Sequence, residues 1–500
     1  MGYPPSTTGI ISLRALLPSA KFVNCHDITV ADVTEKSCDV HPGCLFAALP
    51  GTRIHGRDFV PEALRSGAAA ILTDRSLAGH SVPHCIVADA RRAYGELCHA
   101  LHFLPAQRLK MVGVTGTNGK TTTTWLVWEL LQQLGERCGL LGTIQYSDGN
   151  RTAPSSLTTP EARQLAGWLG SMVAQKNQSA AMEISSHALD QNRIAGVGLD
   201  IAIVTNVTQD HLDYHQTFDD YVRAKARIAN YLKPQGMLLI NADDPGCRTV
   251  TANTELPAKC VTFGISSAAD YRGSLEEETL QGTRFTLHFG ETAVPMFLPM
   301  PGRHNVENAL AAIAAVHHQG FPLEEIATAL AHCQGVPGRL QHVECASAAT
   351  VFVDYAHTPD ALGRVISTIR QLTFGRVIVV FGAGGNRDQS KRPQMGKMAS
   401  QADVAIITSD NPRRENPAEI AAQIQQGMEV SQCRIEVELD RRAAILRALE
   451  IAEEGDTVLI AGKGHEQTQI VGSRSIEFND VAVCRSMGER QLIISKPLQD

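Results

Sequence analysis

Apolar residues along this chain gather in short continuous runs, separated by stretches in which they recur every three or four positions. Continuous apolar runs read as strands buried on both faces, and the longer spacing reads as helices lying on them. Met111–Val114 is such a run, and Thr121 opens a helical pattern with Trp125, Leu126, Val127, Leu130 and Leu131 at core spacing. Ahead of it, Cys44–Leu49, Ala69–Thr73 and Pro83–Ala88 predict strands, and Phe59–Ser66 and Ala90–His102 predict helices. Behind it, Ala180–Ile184, Ile201–Thr205 and Met237–Asn241 continue the alternation. Residues 270–298 alternate apolar and polar and predict an antiparallel patch, and Asn305–His317 predicts an alanine-rich helix. Thr350–Tyr355, Val377–Phe381, Val404–Thr408 and Thr457–Ala461 predict four more strands separated by helices.

Pro105-Ala106-Gln107 and Gly335–Leu340 read as joints. They divide an α/β chain into residues 1–108, a small α/β domain, 109–340, a parallel sheet around a P-loop, and 341–500, a Rossmann-like domain. A length of 500 residues suits about three cores. The 43% hydrophobic and 19% charged content is ordinary for an α/β enzyme, and a net charge of −7 without a long basic run argues against nucleic acid as the main partner. No apolar stretch reaches membrane-spanning length, and Met1–Leu17 lacks the plan of a signal peptide. The 12 cysteines are scattered with no C-x-x-C pair, and Cys85, Cys98 and Cys345 sit in apolar surroundings, as reduced thiols of a cytoplasmic protein would.

The chemistry centres on K-M-V-G-V-T-G-T-N-G-K-T-T-T-T, Lys110–Thr124. A strand, a glycine turn and a helix N-terminus together make a phosphate cradle, to which Lys120 adds a point charge and Thr121 a hydroxyl for magnesium. Only Thr117 and Asn118 separate Gly116 from Gly119-Lys120, so the loop is shorter than the usual P-loop. Glu183 and His211 each follow a predicted strand, at the strand ends where ligands bind in open α/β sheets, and with Thr121 they offer donors for one or two magnesium ions. Lys225, on the helical stretch Phe218–Tyr231, reads from chemistry alone as a solvated lysine. Arg387 and Arg413 follow strands of the third domain and offer two guanidinium forks for a small carboxylate. Gly382–Gly385 lacks the G-x-G-x-x-G spacing of a nicotinamide-cofactor site.

G-V-T-G-T-N-G-K-T-T-T, M-E-I-S-S-H-A-L, T-N-V-T-Q-D-H-L-D-Y-H, P-G-R-H-N-V-E-N-A-L-A-A, G-R-L, D-Y-A-H-T-P-D and D-N-P-R follow one another in this order. From about residue 35 to about residue 485 the chain resembles the Mur ligase family, most closely the members that add the third residue to UDP-N-acetylmuramoyl-L-alanyl-D-glutamate in peptidoglycan synthesis. The resemblance implies an N-terminal UDP-binding domain, a central ATPase and a C-terminal domain that brings the amino acid. It implies that ATP phosphorylates the D-glutamate γ-carboxylate and that an amine then displaces phosphate. Gly116, Thr117, Asn118, Gly119, Lys120, Thr121 and Thr122 would hold ATP, with Asn305, Arg339 and Asp354 framing adenine and ribose. Glu183 and His211 would bind magnesium, and Lys225 matches a lysine that the family carbamylates, which reverses its reading as a solvated residue. Thr158, Thr159, Ser185, Gln191 and Arg193 match positions that hold the UDP-muramoyl dipeptide.

In the third domain, Asp410-Asn411-Pro412-Arg413 is the family's pattern for meso-diaminopimelate, and lysine-adding members lack the arginine. Diaminopimelate carries a second carboxylate that an arginine fork satisfies. Arg387, Gly462 and Glu466 would complete that site, Glu466 facing an ammonium. The first domain departs from the family twice: Lys36-Ser37-Cys38 stands where Asp-Ser-Arg is usual, and His55-Gly56 where Asp-Gly is usual. Ser37 is retained, and Thr52–Ile54 fall where the uridine loop is expected. The expected protein is a cytoplasmic monomer. Its alternatives are a lysine-adding or folylpolyglutamate synthetase-like ligase, disfavoured by Arg413 and by the N-terminal domain respectively, and a nucleotide-binding protein without activity.

Overall fold

Parallel strands joined by covering helices need apolar side chains on both faces, and the continuous apolar runs become such strands in the computed structural model. The structure describes residues 9–494 apart from 52–53, 78, 80, 253–258 and 429–432, so Thr52 and most of the expected uridine loop lie outside the described residues. The chain divides into two compact units, one of residues 1–274, 287–294 and 307–329, the other of residues 275–286, 295–306 and 330–500.

The first unit carries a two-stranded antiparallel pair, Ile11–Ser12 with Thr29–Val30, and two larger sheets. The smaller runs in the order Lys21–Val23, His84–Ile86, Ala70–Thr73, Leu45–Ala48, Val33–Thr34. The larger has six parallel strands in the order Cys138–Leu141, Ser179–Glu183, Lys110–Thr115, Leu199–Val204, Leu232–Asn241, Lys259–Gly264. Lys110–Thr115 sits near its centre, so both neighbours present their carboxyl ends beside the P-loop. Tyr271 and Arg272, at the start of strand Tyr271–Thr279, join Lys259–Gly264 in parallel; Gly282–Phe289 and Thr292–Leu298 are the next two strands along the chain, each after a two-residue turn, and their residues are divided between the two units. The Pro105–Gln107 joint is a 3₁₀ turn whose Ala106 is buried in the core of the larger sheet. Helix Ala90–Leu101 packs on helix Ala162–Ala174, so Leu97 and Leu101 share a core with Ala162 and Ala166.

The second unit holds a six-stranded sheet in the order Gln341–His342, Thr350–Asp354, Thr457–Ala461, Val377–Phe381, Val404–Ile407, Arg434–Val437, parallel except for the first strand. Helices Pro359–Leu372, Lys391–Ala399 and Pro417–Gln425 cover one face, and Arg441–Ile451 and Asp480–Ile494 the other. A hairpin, Thr468–Val471 with Arg474–Glu477, has no apolar run to announce it. Among the described residues, no helix is long and apolar enough to cross a membrane.

Under the second face lies a fully buried ion pair. Arg441 donates through Nε and Nη2 to the two carboxylate oxygens of Asp480, each at 2.8 Å, and Nη2 also reaches the Ala461 carbonyl at 3.0 Å. The guanidinium thereby fixes the end of the strand that leads into Gly462. Asp480→Ala would leave a buried guanidinium unpaired, and equilibrium denaturation should show about 3–5 kcal/mol lost from the unit that unfolds with it. A loss below about 1 kcal/mol would mean that the pair is solvated.

Candidate functional site

The turn after Lys110–Thr115 is shaped by two glycines. Gly116 has φ +154° and a Cβ there would lie 1.9 Å from Thr205 Oγ1; Gly119 has φ +82° and a Cβ would lie 2.2 Å from Asn308 Oδ1. Only glycine fits either place. The loop is stitched to the neighbouring strand end: Asn206 accepts from the Thr117 N–H at 2.9 Å and, through Oδ1, from the Asn118 N–H at 2.8 Å, while Thr205 Oγ1 donates to the Asn118 carbonyl at 2.6 Å. Lys120 Nζ spans the loop, donating to the Gly116 and Thr117 carbonyls at 2.9 Å each. Thr121 and Thr122 sit buried in the first turn of helix Lys120–Gln133, whose dipole faces the loop.

Glu183 ends the adjacent strand and is buried. It accepts from Thr121 Oγ1 at 2.9 Å, from the Thr143 N–H at 2.6 Å and from Thr143 Oγ1 at 3.0 Å. Its partners among the described residues are all neutral, so a buried carboxylate stands beside the helix N-terminus without a cation. His211, at φ +53° and exposed, lies instead beside Asp210, with its ring edge-on to His187 at 5.1 Å. No hydrogen bond among the described residues joins it to Glu183 or Thr121. Among those residues, no three His, Cys, Asp or Glu side chains converge as a metal cage.

Lys225 overturns its reading as a solvated lysine. Thr217 caps helix Phe218–Ala226 and Asp219 and Asp220 favour its first turn, but the four-residue step from Tyr221 turns Lys225 to the buried face. The side chain is 1% exposed, donates to the Gly116 carbonyl at 2.7 Å and stands 4.5 Å from the centre of the Tyr221 ring. Burial, then the like charge of Lys120, push its ammonium well below the ordinary lysine range. Tyr221 OH in turn meets Thr117 Oγ1 at 3.0 Å.

Four of the five expected dipeptide-holding residues form one connected group in the first unit. Thr159 Oγ1 donates to the Glu183 carbonyl and accepts from the Ser185 N–H, and Ser185 caps helix Ser186–Asp190. Arg193 reaches Gln191 Oε1 at 2.8 Å and 3.0 Å and the Thr159 carbonyl at 3.3 Å. Thr158 joins Thr143 instead, at 3.1 Å. Ser37 lies in a 3₁₀ turn beside Cys38, whose thiol meets Asp39, and His55 caps the turn Gly56–Phe59 while its Nε2 meets Asp74 at 3.1 Å.

In the second unit, four loops rise from the carboxyl ends of adjacent strands. Gly385 has its N–H on the Asn411 carbonyl, and a Cβ there would lie 1.9 Å from the Pro412 carbonyl oxygen. The glycines of G-A-G-G therefore serve close loop contact. Arg413 is half-buried at φ +52°, with Nη1 on the Gly385 carbonyl at 2.8 Å and its backbone N–H on Ile470. Asp410 lies against Gly462, where a Cβ would come within 2.7 Å of its Oδ2, and Asn411 Nδ2 donates to Glu466 at 2.9 Å. Burial raises the Glu466 carboxyl, but Lys463 at 2.6 Å and Asn411 outweigh it and hold it below the usual glutamate range. The ammonium that Glu466 meets here is thus the chain's own. Arg387 is exposed, near enough for its positive charge to act on the Tyr355 hydroxyl. Asp354 accepts from the Leu340 and Ala356 N–H groups at 2.7 Å each, burial raising its carboxyl against the pull of Arg339, and Arg339 lies over the Tyr355 ring at 4.8 Å. Asn305 is buried on the Pro301 carbonyl. Sequence reasoning passed over Thr143, Tyr221 and Lys463; the i,i+4 step and the G-K-G turn were the available signals.

Comparison with known proteins gives the same family throughout. Residues 29–100 match the Mur ligase family catalytic domain, 114–316 the Mur ligase middle domain and 338–464 the Mur ligase glutamate ligase domain. A UDP-N-acetylmuramoyl-L-alanyl-D-glutamate--2,6-diaminopimelate ligase of Geobacillus kaustophilus is 43% identical over 89% of this chain and 92% of its own. One of the same name from Synechococcus elongatus is 41% identical over 93% and 95%. A solved structure of that name superposes with a TM-score of 0.71 at 33% identity, covering 97% of this chain and all of the other. A MurF ligase of Thermotoga maritima in complex with ADP shares the fold, with a TM-score of 0.59 at 19% identity over 93% of this chain and 98% of its own. The chain belongs to the Mur ligase family and is an ATP-dependent ligase.

Proposed function

We propose that the chain joins meso-diaminopimelate to the D-glutamate γ-carboxylate of UDP-N-acetylmuramoyl-L-alanyl-D-glutamate, in the cytoplasm, with residues 1–108 taking the UDP end, 109–340 ATP and 341–500 the amino acid. The observation that carries the phosphoryl-transfer part is the buried Lys225 amine on the P-loop carbonyl of Gly116. The γ-phosphoryl passes from ATP to the carboxylate, an oxygen–phosphorus bond forming as the bond to ADP breaks. The diaminopimelate amine then attacks the acyl carbon, loses a proton, and phosphate leaves. Such chemistry asks the protein for positioning and for cations rather than for a nucleophile.

Gly116 to Thr122 hold the phosphates, with Lys120 as the cation across the loop. Thr121, Glu183, His211 and Lys225 as its carbamate would hold magnesium, which supplies charge neutralisation on the transferring group. A buried carboxylate with neutral partners fits that task. The carbamate would form when the Lys225 amine, in its neutral form, attacks carbon dioxide and releases a proton, and burial, which pushes the ammonium well below the ordinary lysine range, favours that form. Thr159, Ser185, Gln191 and Arg193, with Thr158 and Ser37, orient the dipeptide. Asn305, Arg339 and Asp354 face adenine and ribose. Asp410, Asn411, Pro412 and Arg413, with Arg387, Gly462 and Glu466, take diaminopimelate. Arg413 with that ligand's second carboxylate is the specificity contact, since a ligand lacking it would leave the fork unmatched, at a cost of about 3–5 kcal/mol if the site closes over it.

Phosphate release with ATP, magnesium and the UDP-dipeptide should depend on diaminopimelate and give the tripeptide by mass. Equal use of L-lysine would remove the role of Arg413, and no turnover with either would contradict the proposal. Lys225→Ala should lose activity by about a hundredfold or more, with partial recovery in short carboxylic acids that replace the carbamate; wild-type rates would sink the carbamate. Arg413→Ala should raise the KM for diaminopimelate by at least about tenfold and leave that for ATP nearly unchanged. Equal changes in both would refute the fork.

A further inference from the structure

The G-K-G turn after Thr457–Ala461 presents a lysine in an unusual place. Gly462 and Gly464 have φ of +116° and +53°, and a Cβ on Gly464 would lie 2.8 Å from the Gly338 carbonyl oxygen. With Asp410 pressed on Gly462, the backbone is confined on both sides of Lys463, whose side chain is 0% exposed. Its ammonium donates to Glu466 Oε2 at 2.6 Å and to Asn411 Oδ1 at 3.2 Å. Asn411 closes the triangle, donating through Nδ2 to the same Glu466 oxygen at 2.9 Å while its Oδ1 also accepts from the Ile470 N–H at 2.9 Å. The two donors on Oδ1 fix which way the amide points.

Exposure separates the roles. The Glu466 side chain is 32% exposed and can meet a ligand from solvent, whereas Lys463 is sealed behind it. We propose that Lys463 is a positioning residue for the amino-acid substrate, locking Asn411 and Glu466 so that the open side of the Glu466 carboxylate receives an ammonium of the incoming diamino acid. This rests on the reading of the loop cluster as the diaminopimelate site. A buried ammonium needs a charged partner and hydrogen bonds, and here the charge and both hydrogen bonds come from residues that would touch the substrate. Preorganising a carboxylate in this way favours affinity, because little ordering is left for binding.

The test uses the full chain, with Lys463→Met, Glu466→Gln and the double variant, measuring phosphate release and thermal unfolding. Lys463→Met should raise the KM for diaminopimelate about tenfold, leaving those for ATP and the UDP-dipeptide within about twofold. Because Lys463 acts through Glu466, the double variant should be little worse than the poorer single one. Lys463→Gln, which keeps a donor for Asn411 without the charge, should fall between and serves if the methionine variant does not fold. Three KM values that shift together, a lowered unfolding temperature with unchanged KM, or effects that multiply independently would each overturn the proposal. If the wild-type chain shows no dependence on diaminopimelate, the reading of the site fails and the proposal with it. If wild type depends on it and Glu466→Gln alone raises KM, the site stands and the role of Lys463 is lost.

Discussion

A lysine amine held in the dry against a P-loop carbonyl is the constraint on which the central part of this protein turns. An ammonium taken out of water costs several kcal/mol unless a negative charge meets it. Among the described residues no carboxylate stands at ion-pair distance from Lys225; its contacts are the Gly116 carbonyl and the Tyr221 ring, with Lys120 adding repulsion. The neutral amine is the form that such surroundings favour. The same carbonyl of Gly116 also accepts from Lys120, and Tyr221 holds Thr117, so the loop and the amine share one hydrogen-bonded frame. Two glycines without room for a Cβ make the frame possible.

The second unit repeats this logic with other residues. Four loops at the carboxyl ends of neighbouring parallel strands, Gly382–Gly385, the Asp410 loop, the G-K-G turn and the loop after Asp354, touch at the crevice position where open α/β sheets bind ligands. Buried cations sit behind them: Arg441 on the Ala461 carbonyl, Lys463 on Asn411 and Glu466, and Arg392 on Glu415. Each has a carboxylate partner, and among the described residues Lys225 has none within ion-pair distance. That contrast is what supports the proposal that Lys225 is carbamylated rather than a structural lysine.

Much of this was legible in the sequence where one physical signal dominated. Val377–Phe381 and Thr457–Ala461 are continuous apolar runs and are strands over those same residues. The edge strands Gln341–His342 and Arg434–Val437 and the hairpin Thr468–Glu477 are short or solvent-facing, so apolar content could not mark them. In the site, the glycine loop was readable from the strand before it and the helical pattern after Lys120, despite its short spacing, but Lys225 was not readable from charge. Its helix carries Asp219, Asp220 and Arg223 and looks solvated, and only the step from Tyr221 gives the buried face away. Glu466 was expected to meet an ammonium, and the one it meets in the chain, three residues back, lies in a turn whose conformation depends on positive φ rather than on pattern.

The most direct measurement is a carbon-13 spectrum of the full chain equilibrated with labelled bicarbonate, beside the same spectrum of Lys225→Met. A buried amine whose ammonium is disfavoured predicts a carbamate carbon signal in the wild-type chain that the variant lacks. Identical spectra for the two, with no carbamate signal in either, would contradict the account and return Lys225 to the role of a packed structural residue.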